Sequence, residues 1–187
     1  MRVDQGTLFV LSSPSGGGKS TIINRLRDRN DDLAYSISVT TRPPRRGERD
    51  GVAYFFLDEE TFKKRIEEVA FIEWAEVHGY YYGTLKKEIK RLIADGKKVL
   101  LDIDVQGGLA LKKSVSTAVL IFLIPPSLKT LEHRLQRRGT DSEDVIARRL
   151  ENARKEVEAA ERYDYQVWNH DLDKTVEEVE TIIRSFK

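Results

Sequence analysis

The sequence contains no cysteine, and this absence excludes three kinds of chemistry together. A chain without Cys has no disulfide framework, no thiolate zinc site and no thiol nucleophile. Proteins that need no disulfides are typical of reducing compartments, so the composition favours a cytoplasmic protein.

Long apolar runs and an excess of one charge are also missing. The longest apolar stretch, residues 118–124, is far shorter than the roughly 20 residues that span a membrane. Asp4 and Gln5 stand where a signal peptide would need its apolar segment. The 32 basic and 31 acidic residues leave a formal net charge of +1, whereas a nucleic-acid binder usually presents a strongly basic surface. We therefore expect neither a membrane nor a nucleic-acid partner.

The chain does contain enough apolar material for one globular domain. It has 187 residues, of which 40% are hydrophobic and 34% charged. Residues 7–11, 99–103 and 119–124 form strand-length, largely apolar runs. Such runs are typical of parallel strands that are buried on both faces.

Helical periodicity separates these runs. Apolar residues recur at steps of three and four in the segments 20–26, 128–135, 146–160 and 176–186. Strands that alternate with helices predict an α/β fold, in which a parallel-sheet core carries helices on both faces.

The stretch 34–95 breaks this rhythm, and we interpret it as a mixed α+β insertion. It contains predicted strands at 35–40, 53–57 and 71–77, an aromatic turn at 79–83 and two helices. Gly139 to Ser142 then supply a chain breaker and N-cap residues before the long helix. We expect a single domain with its core at 1–33, 96–138 and 155–187, the insertion at 34–95 and a helical lid at about 139–154.

The strongest chemical signal is a glycine-rich turn between the first strand and the first helix. Backbone N–H groups and the positive end of the helix converge there, and the turn predicts a cradle for a polyphosphate. The pattern G-x-x-x-x-G-K-[ST] is matched except that Ser13 replaces the first glycine. The alternative is a flexible turn without a ligand. The residues of this predicted polyphosphate cradle, which the family resemblance described below implies to bind ATP, are Ser13, Pro14, Ser15, Gly16, Gly17, Gly18, Lys19, Ser20 and Thr21.

A phosphate loop of this kind needs an acid on the metal side, at the end of a neighbouring buried strand. Asp102 follows three apolar residues, and we expect it to hold Mg²⁺ together with the Ser20 hydroxyl. Asp104 lies on the same strand face and is expected to point at the second substrate. The alternative is that both acids merely cap the next helix.

Two features of the insertion point to the second substrate. Arg42 and Arg45 lie in a loop stiffened by two prolines and suit a phosphate monoester, to which Tyr54 and Tyr82 can donate. The alternative is a solvated arginine loop or an RNA contact.

The second feature is Glu73, which lies within an apolar run. One carboxylate can accept both the N1–H and the 2-amino group of guanine. The alternative is an exposed acid on an edge strand.

Taken in order, the motifs closely resemble the guanylate kinase family from Gly6 to Arg184. They read Ser-Pro-Ser-Gly-Gly-Gly-Lys-Ser, Thr-Thr-Arg-Pro-Pro-Arg, Phe-Ile-Glu-Trp-Ala, Gly-Tyr-Tyr-Tyr-Gly-Thr, Leu-Asp-Ile-Asp-Val-Gln-Gly and Arg-Arg-Gly-Thr. The resemblance implies transfer of the γ-phosphoryl group of Mg·ATP to GMP. A non-catalytic peptide-binding scaffold of the same fold, and another nucleoside monophosphate as acceptor, are the alternatives. We expect a monomer or homodimer.

The resemblance also implies residue roles. Arg138 and Arg149 match lid arginines that act with Lys19 and Arg42 in catalysis, while Arg134 and Asn169 match residues near the adenine. The residues implied to bind GMP are Ser38, Arg42, Arg45, Tyr54, Glu73, Tyr82, Thr84, Asp102 and Asp104. Two departures from the family pattern, Tyr80 and His170, are expected to carry no chemistry.

Overall fold

A computed structural model describes residues 6–77, 79–138 and 142–186, except for the side chain of Arg138. Two sheets organise this part of the chain. The larger has five parallel strands in the order β2-β7-β1-β8-β9. Its strands are β1 (Leu8–Ser12), β2 (Leu33–Ser36), β7 (Lys98–Asp102), β8 (Val119–Ile124) and β9 (Tyr165–Trp168).

Helices cover both faces of the parallel sheet. The apolar sides of α1 and α7 pack on one face, and those of α3 and α4 pack on the other. The α/β core predicted from the sequence is therefore confirmed. The helices are α1 (Lys19–Arg29), α2 (Glu59–Glu67), α3 (Lys86–Ala94), α4 (Val105–Ser114), α5 (Leu128–Arg138), α6 (Glu143–Glu158) and α7 (Leu172–Ser185), with a 3₁₀ turn at Ala159–Arg162.

The smaller sheet is mixed and has the order β4-β3-β6-β5. Its strands are β3 (Val39–Thr40), β4 (Phe55–Phe56), β5 (Phe71–Val77) and β6 (Tyr80–Leu85). The strand β3 runs parallel to β4 and antiparallel to β6, which also pairs antiparallel with β5. A separate cluster of Val39, Phe62 and Phe71 forms the apolar core of this region.

Two sequence-based predictions were wrong in detail, and one strand was missed. The run 35–40 is split, since β2 joins the parallel sheet and β3 joins the mixed sheet. The predicted aromatic turn is the strand β6, because its tyrosines pair with β5. The strand β9 was not predicted, because Val167 is its one buried residue.

No helix in the described ranges is both long and apolar enough to cross a membrane. The lid predicted at 139–154 lies partly outside these ranges. The structure describes this segment from Ser142 onward. The helix that was predicted over 146–160 begins at Glu143.

Candidate active site

The phosphate loop connects β1 to α1 and is held by side chains from distant segments. Gly18 has a φ of +91°, and a Cβ there would lie 2.8 Å from the Asn169 Nδ2 atom. That side chain is buried after β9 and donates a 2.6 Å hydrogen bond to the Gly17 carbonyl. Only glycine fits the Gly18 position, because both its φ and its neighbour exclude a side chain.

Ser13, which replaces the first glycine of the motif, is accommodated without backbone strain. Positive φ in the loop occurs at Gly16 and Gly18 and not at Ser13. The buried Ser13 hydroxyl donates to the Pro14 carbonyl at 3.2 Å, and that carbonyl also accepts from the Gly17 N–H at 2.8 Å. A small residue with ordinary backbone angles therefore serves at the first motif position.

A groove of about 620 Å³ opens beside the glycines of the loop. Arg134 of α5 reaches the loop and donates a hydrogen bond to the Gly16 carbonyl at 3.2 Å. His170, which was expected to have no role, also lines this groove and stacks on Trp168 with ring centroids 5.4 Å apart. The full lining is Gly16, Gly18, Thr21, Arg134, Arg137, Asn169, His170 and Leu172.

Lys19 stands at the centre of the site. Its ammonium group lies 2.7 Å from the Asp102 carboxylate, at the end of β7, and donates to the Ile103 carbonyl at 2.9 Å. Ser20 is exposed in the first turn of α1. The structure thus places a cation, a carboxylate and a hydroxyl around the mouth of the phosphate loop.

Asp104 has a structural role as well as a place in the site. It precedes α4 and caps this helix by accepting a 2.8 Å hydrogen bond from the Gly107 N–H. Asp102 instead pairs with Lys19. Asp104 also lines the small pocket described next.

A pocket of about 110 Å³ lies between the two sheets, next to Lys19. Its polar lining includes most of the residues that the resemblance assigns to the acceptor. The lining residues are Lys19, Ser38, Tyr54, Glu73, Val77, Tyr82, Gly83, Asp102, Ile103 and Asp104.

Glu73 is buried in this pocket, with 8% of its surface exposed. The strand β5 is an edge strand, as the alternative interpretation supposed, but α4 covers Glu73. Thr84 donates to its carboxylate at 2.6 Å. Burial raises the pKa of Glu73 to about 7, with a further increase from Asp104, although the Thr84 hydrogen bond opposes the shift.

Gly107 sets how closely α4 approaches Glu73. A Cβ at Gly107 would collide with the Ile103 side chain and lie 2.7 Å from the Glu73 Oε2 atom. We expect Gly107→Ala to destabilise the fold by about 1–3 kcal/mol through overpacking. Displacement of Glu73 should raise the KM of the acceptor about tenfold, with a smaller effect on kcat. Lys113→Ala, an exposed change on the same helix, is the control, and an unchanged KM in Gly107→Ala would contradict this account of the contact.

Arg42 is buried and held in place by contacts within the protein. Its Nη2 atom lies 2.9 Å from both carboxylate oxygens of Glu48, and Nη1 donates to the Pro43 carbonyl at 2.7 Å. The guanidinium carbon lies 5.5 Å from the centre of the Tyr54 ring, and the Tyr82 ring is 6.0 Å from that of Tyr54. These contacts fix the position of the Arg42 guanidinium, which lines the groove described next.

A second groove, of about 380 Å³, joins this arginine loop to α6. Arg149 lines it from α6, while Arg42 and Arg45 line it from the loop. Arg138 ends α5, and its side chain lies outside the described part of the chain. The remaining lining residues are Tyr80, Tyr82, Val145, Arg148 and Asn152, so Tyr80 also faces a candidate site.

Sequence analysis missed two carboxylates beside the site. Glu48 holds Arg42 and accepts from the Arg45 backbone N–H at 2.7 Å. The spacing of three between Arg42, Arg45 and Glu48 was the available signal. Glu156 of α6 is half-buried, and burial raises its pKa to about 7, although only the apolar side of its helix was considered.

The fold and the site together define a P-loop phosphotransferase of the nucleoside monophosphate kinase class. A phosphate loop, a parallel sheet and an inserted mixed sheet that borders a polar pocket are the features that place it there.

Comparison with known proteins gives the family. The guanylate kinase family model matches residues 5–186. The guanylate kinase of Thermotoga maritima is 48% identical over 181 residues, which cover 97% of this chain and 87% of that protein. The guanylate kinase of Caldanaerobacter subterraneus is 47% identical over 179 residues, which cover 96% of this chain and 87% of that one. A crystal structure of guanylate kinase from Anaplasma phagocytophilum matches with a TM-score of 0.82 at 34% identity, covering 97% of this chain and 86% of that one. The chain belongs to the guanylate kinase family.

Proposed function

We propose that this protein transfers the γ-phosphoryl group of Mg·ATP to GMP, giving ADP and GDP. The observation that carries the proposal is the position of Lys19, which lies between the phosphate loop and a pocket with a buried acid, Glu73. One cation can therefore contact a donor phosphate on one side and an acceptor on the other.

On the donor side, the loop N–H groups and Lys19 would bind the ATP phosphates. The adenine would lie in the 620 Å³ groove, near Arg134 and Asn169. Because these two side chains already hold the Gly16 and Gly17 carbonyls, they would fix the loop that binds the phosphates.

The residues present fit Mg²⁺ held jointly with substrate. No cluster of three or more His, Cys, Asp or Glu residues suited to a metal occurs in the described ranges. Mg²⁺ commonly keeps water and phosphate ligands and needs only one or two protein groups. Ser20 and Asp102 would hold it. The bound ion would neutralise charge on the transferring phosphoryl group.

On the acceptor side, Glu73 would accept the two adjacent N–H donors of guanine, with Ser38, Thr84 and Asp104 around the base. The GMP phosphate would lie between Arg42, Arg45, Tyr54 and Tyr82. Adenine lacks this pair of donors and would leave a buried acid unpaired, which costs free energy.

The chemistry needs positioning and charge neutralisation more than a base. The acceptor phosphate is already a competent nucleophile, so no side chain has to remove a proton from it. Lys19, Arg42, Arg138 and Arg149 would share the charge of the transition state from four segments of the chain. Closure of the lid would bring them together and exclude water, which suppresses ATP hydrolysis.

Nucleotide-dependent thermal stability tests the two proposed sites separately. A ligand at about 100 times its Kd adds roughly 2.7 kcal/mol to the unfolding free energy, which raises the Tm by several degrees. We expect this shift with GMP and, independently, with ADP and Mg²⁺, but not with AMP at the GMP concentration. Equal shifts with GMP and AMP would contradict the assigned acceptor.

The ionisation of Glu73 predicts how guanine recognition depends on pH. Because its pKa is about 7, the Glu73 carboxyl group carries a proton below neutral pH in the unbound protein. Two N–H donors need the ionised carboxylate, so binding must release that proton, and affinity should fall by about tenfold from pH 8 to pH 6. Guanosine has no phosphate to titrate, so its inhibition constant against GMP is the measurement. An inhibition constant that does not change over this range would contradict the role of Glu73.

The lack of a nucleic-acid partner, the monomeric or dimeric state and the cytoplasmic location stay predictions. The lid at about 139–154 also stays a prediction, as do the boundaries of the insertion.

A further inference from the structure

The 620 Å³ groove beside the phosphate loop, where the donor base is proposed to lie, differs chemically from the acceptor pocket. Its described lining residues include no carboxylate, whereas Glu73 lines the acceptor pocket. The buried amide of Asn169 is engaged at both ends, because Nδ2 donates to the Gly17 carbonyl at 2.6 Å and Oδ1 accepts from the Thr175 hydroxyl at 3.3 Å. The groove therefore lacks the kind of acid that would select one base, which points to another mode of binding.

His170 brings an aromatic ring to this groove. It is exposed and lines the groove, and its imidazole stacks on the Trp168 indole with ring centroids 5.4 Å apart and an angle of 3° between the ring planes. These values are typical of an offset-stacked aromatic pair. Trp168 is itself 55% exposed. The two rings thus form a flat apolar surface beside the groove instead of part of the core.

The backbone on both sides of His170 is fixed. The Asn169 N–H donates to the Ile124 carbonyl at 2.8 Å. On the other side, Asp171 caps α7 by accepting a 3.0 Å hydrogen bond from the Lys174 N–H. His170 therefore follows the carboxyl end of a parallel strand, where ligands of such sheets bind, on a short and well-held connection.

We propose that His170, supported by Trp168, is the platform on which the base of the donor nucleotide stacks. This proposal rests on the proposed donor site. Every base has a π-face, so stacking tolerates different bases, and purines stack over a larger area than pyrimidines. The donor site selects its nucleotide by ring area, whereas the acceptor pocket selects by hydrogen bonds to Glu73. His170 is thus a specificity residue for the donor.

The test compares the Kd of ADP with that of inorganic pyrophosphate, both measured calorimetrically with Mg²⁺. Pyrophosphate can occupy the phosphate loop but has no base to stack. Three variants accompany the wild-type protein, and their Tm values identify any loss of folding. His170→Ala removes the ring, His170→Phe replaces it with another flat ring, and His133→Ala removes an exposed histidine of α5 as the control.

We expect His170→Ala to bind ADP about tenfold more weakly, within the range found when an aromatic ring that stacks on a base is removed. His170→Phe should bind ADP within about twofold of the wild type. Pyrophosphate should bind equally to all four proteins, and His133→Ala should match the wild type with both ligands.

Donor kinetics and a pyrimidine ligand test the same contact. The KM of ATP should rise in His170→Ala without a comparable change in kcat or in the KM of GMP, since stacking acts equally on the bound substrate and the transition state. The wild type should bind ADP more tightly than UDP. This preference should shrink in His170→Ala, because the larger ring system then has no platform.

Trp168 reports the contact by its fluorescence. The chain has two tryptophans, so Trp74→Phe leaves Trp168 as the single indole. We expect ADP to change the emission of this variant and pyrophosphate to leave it unchanged, because only the base adds a ring to the stack.

Three results would overturn the proposal. Equal ADP affinity in the wild type and His170→Ala would mean that His170 does not contact the base. An equal loss of ADP and pyrophosphate affinity would mean that it acts on the phosphate loop. ADP binding as weak in folded His170→Phe as in His170→Ala would mean that the imidazole nitrogens act and not the flat ring. Lys19→Met separates these results from failure of the donor site itself, because it should weaken both ligands if that site is assigned correctly.

Discussion

Lys19→Met should lower kcat by about 10³-fold, which is the size of effect seen when one preorganised charge-stabilising group is removed from an active site. Lys19 is the cation that lies between the phosphate loop and the pocket proposed for the acceptor, and methionine keeps its length without its charge. The variant should remain folded. We expect it to lose about 1–3 kcal/mol of stability, because Asp102 loses its partner at 2.7 Å.

Initial rates with saturating Mg·ATP and GMP measure this effect, and denaturant unfolding measures the stability. Lys63→Met is the matched control, since Lys63 is an exposed lysine of α2 that pairs with Glu59. The control should keep wild-type kcat. If purified and folded Lys19→Met turned over at a substantial fraction of the wild-type rate, Lys19 would have no place in the mechanism.

Glu73→Gln should lower kcat/KM for GMP by about 10³-fold, equivalent to roughly 4 kcal/mol. The amide is nearly isosteric with the carboxylate, but its NH₂ group would face a donor of the base instead of accepting from it. Selectivity for GMP over AMP should fall accordingly. The loss should appear in the KM of GMP more than in the KM of ATP.

Steady-state kinetics with GMP and AMP as alternative acceptors measure the selectivity. Glu76→Gln is the control, because Glu76 is an exposed acid on the same strand. The control should leave selectivity unchanged. Wild-type selectivity in Glu73→Gln would show that this acid does not read the base.

Local features of the sequence were sufficient to predict the parallel core and the phosphate loop. The strands β1, β7 and β8 are buried on both faces, so their apolar runs are continuous. The loop follows one strand directly and begins a helix, and the residues between them are adjacent in the chain. Prediction succeeded where neighbouring residues determine the structure.

Pairing between distant segments determines the features that were missed. Residues 35–40 have strand character throughout, but which sheet each half joins depends on β6 and β7, far along the chain. The strand β9 has one buried residue at an edge, too little for a periodic signal.

In the candidate site, too, neighbouring residues indicated some features, while features that depend on distant segments were missed. Glu73 was predicted as a base-reading acid from its apolar neighbours, yet its burial depends on the close approach of Gly107 in α4. Glu48 and Glu156 were missed because each sits in a polar segment that resembles ordinary surface. The contact of Glu48 with Arg42 and the burial of Glu156 arise only in the folded chain.

Phosphoryl transfer to a panel of acceptors tests the central claim most directly. Mg·ATP would be offered GMP, AMP, CMP and UMP in parallel, and the diphosphates formed would be separated by chromatography. We predict ADP and GDP in equal amounts with GMP, and no comparable turnover with the other three. No turnover with any acceptor in a folded protein would contradict the account and favour a binding module, and faster turnover with another monophosphate would overturn the assignment of Glu73.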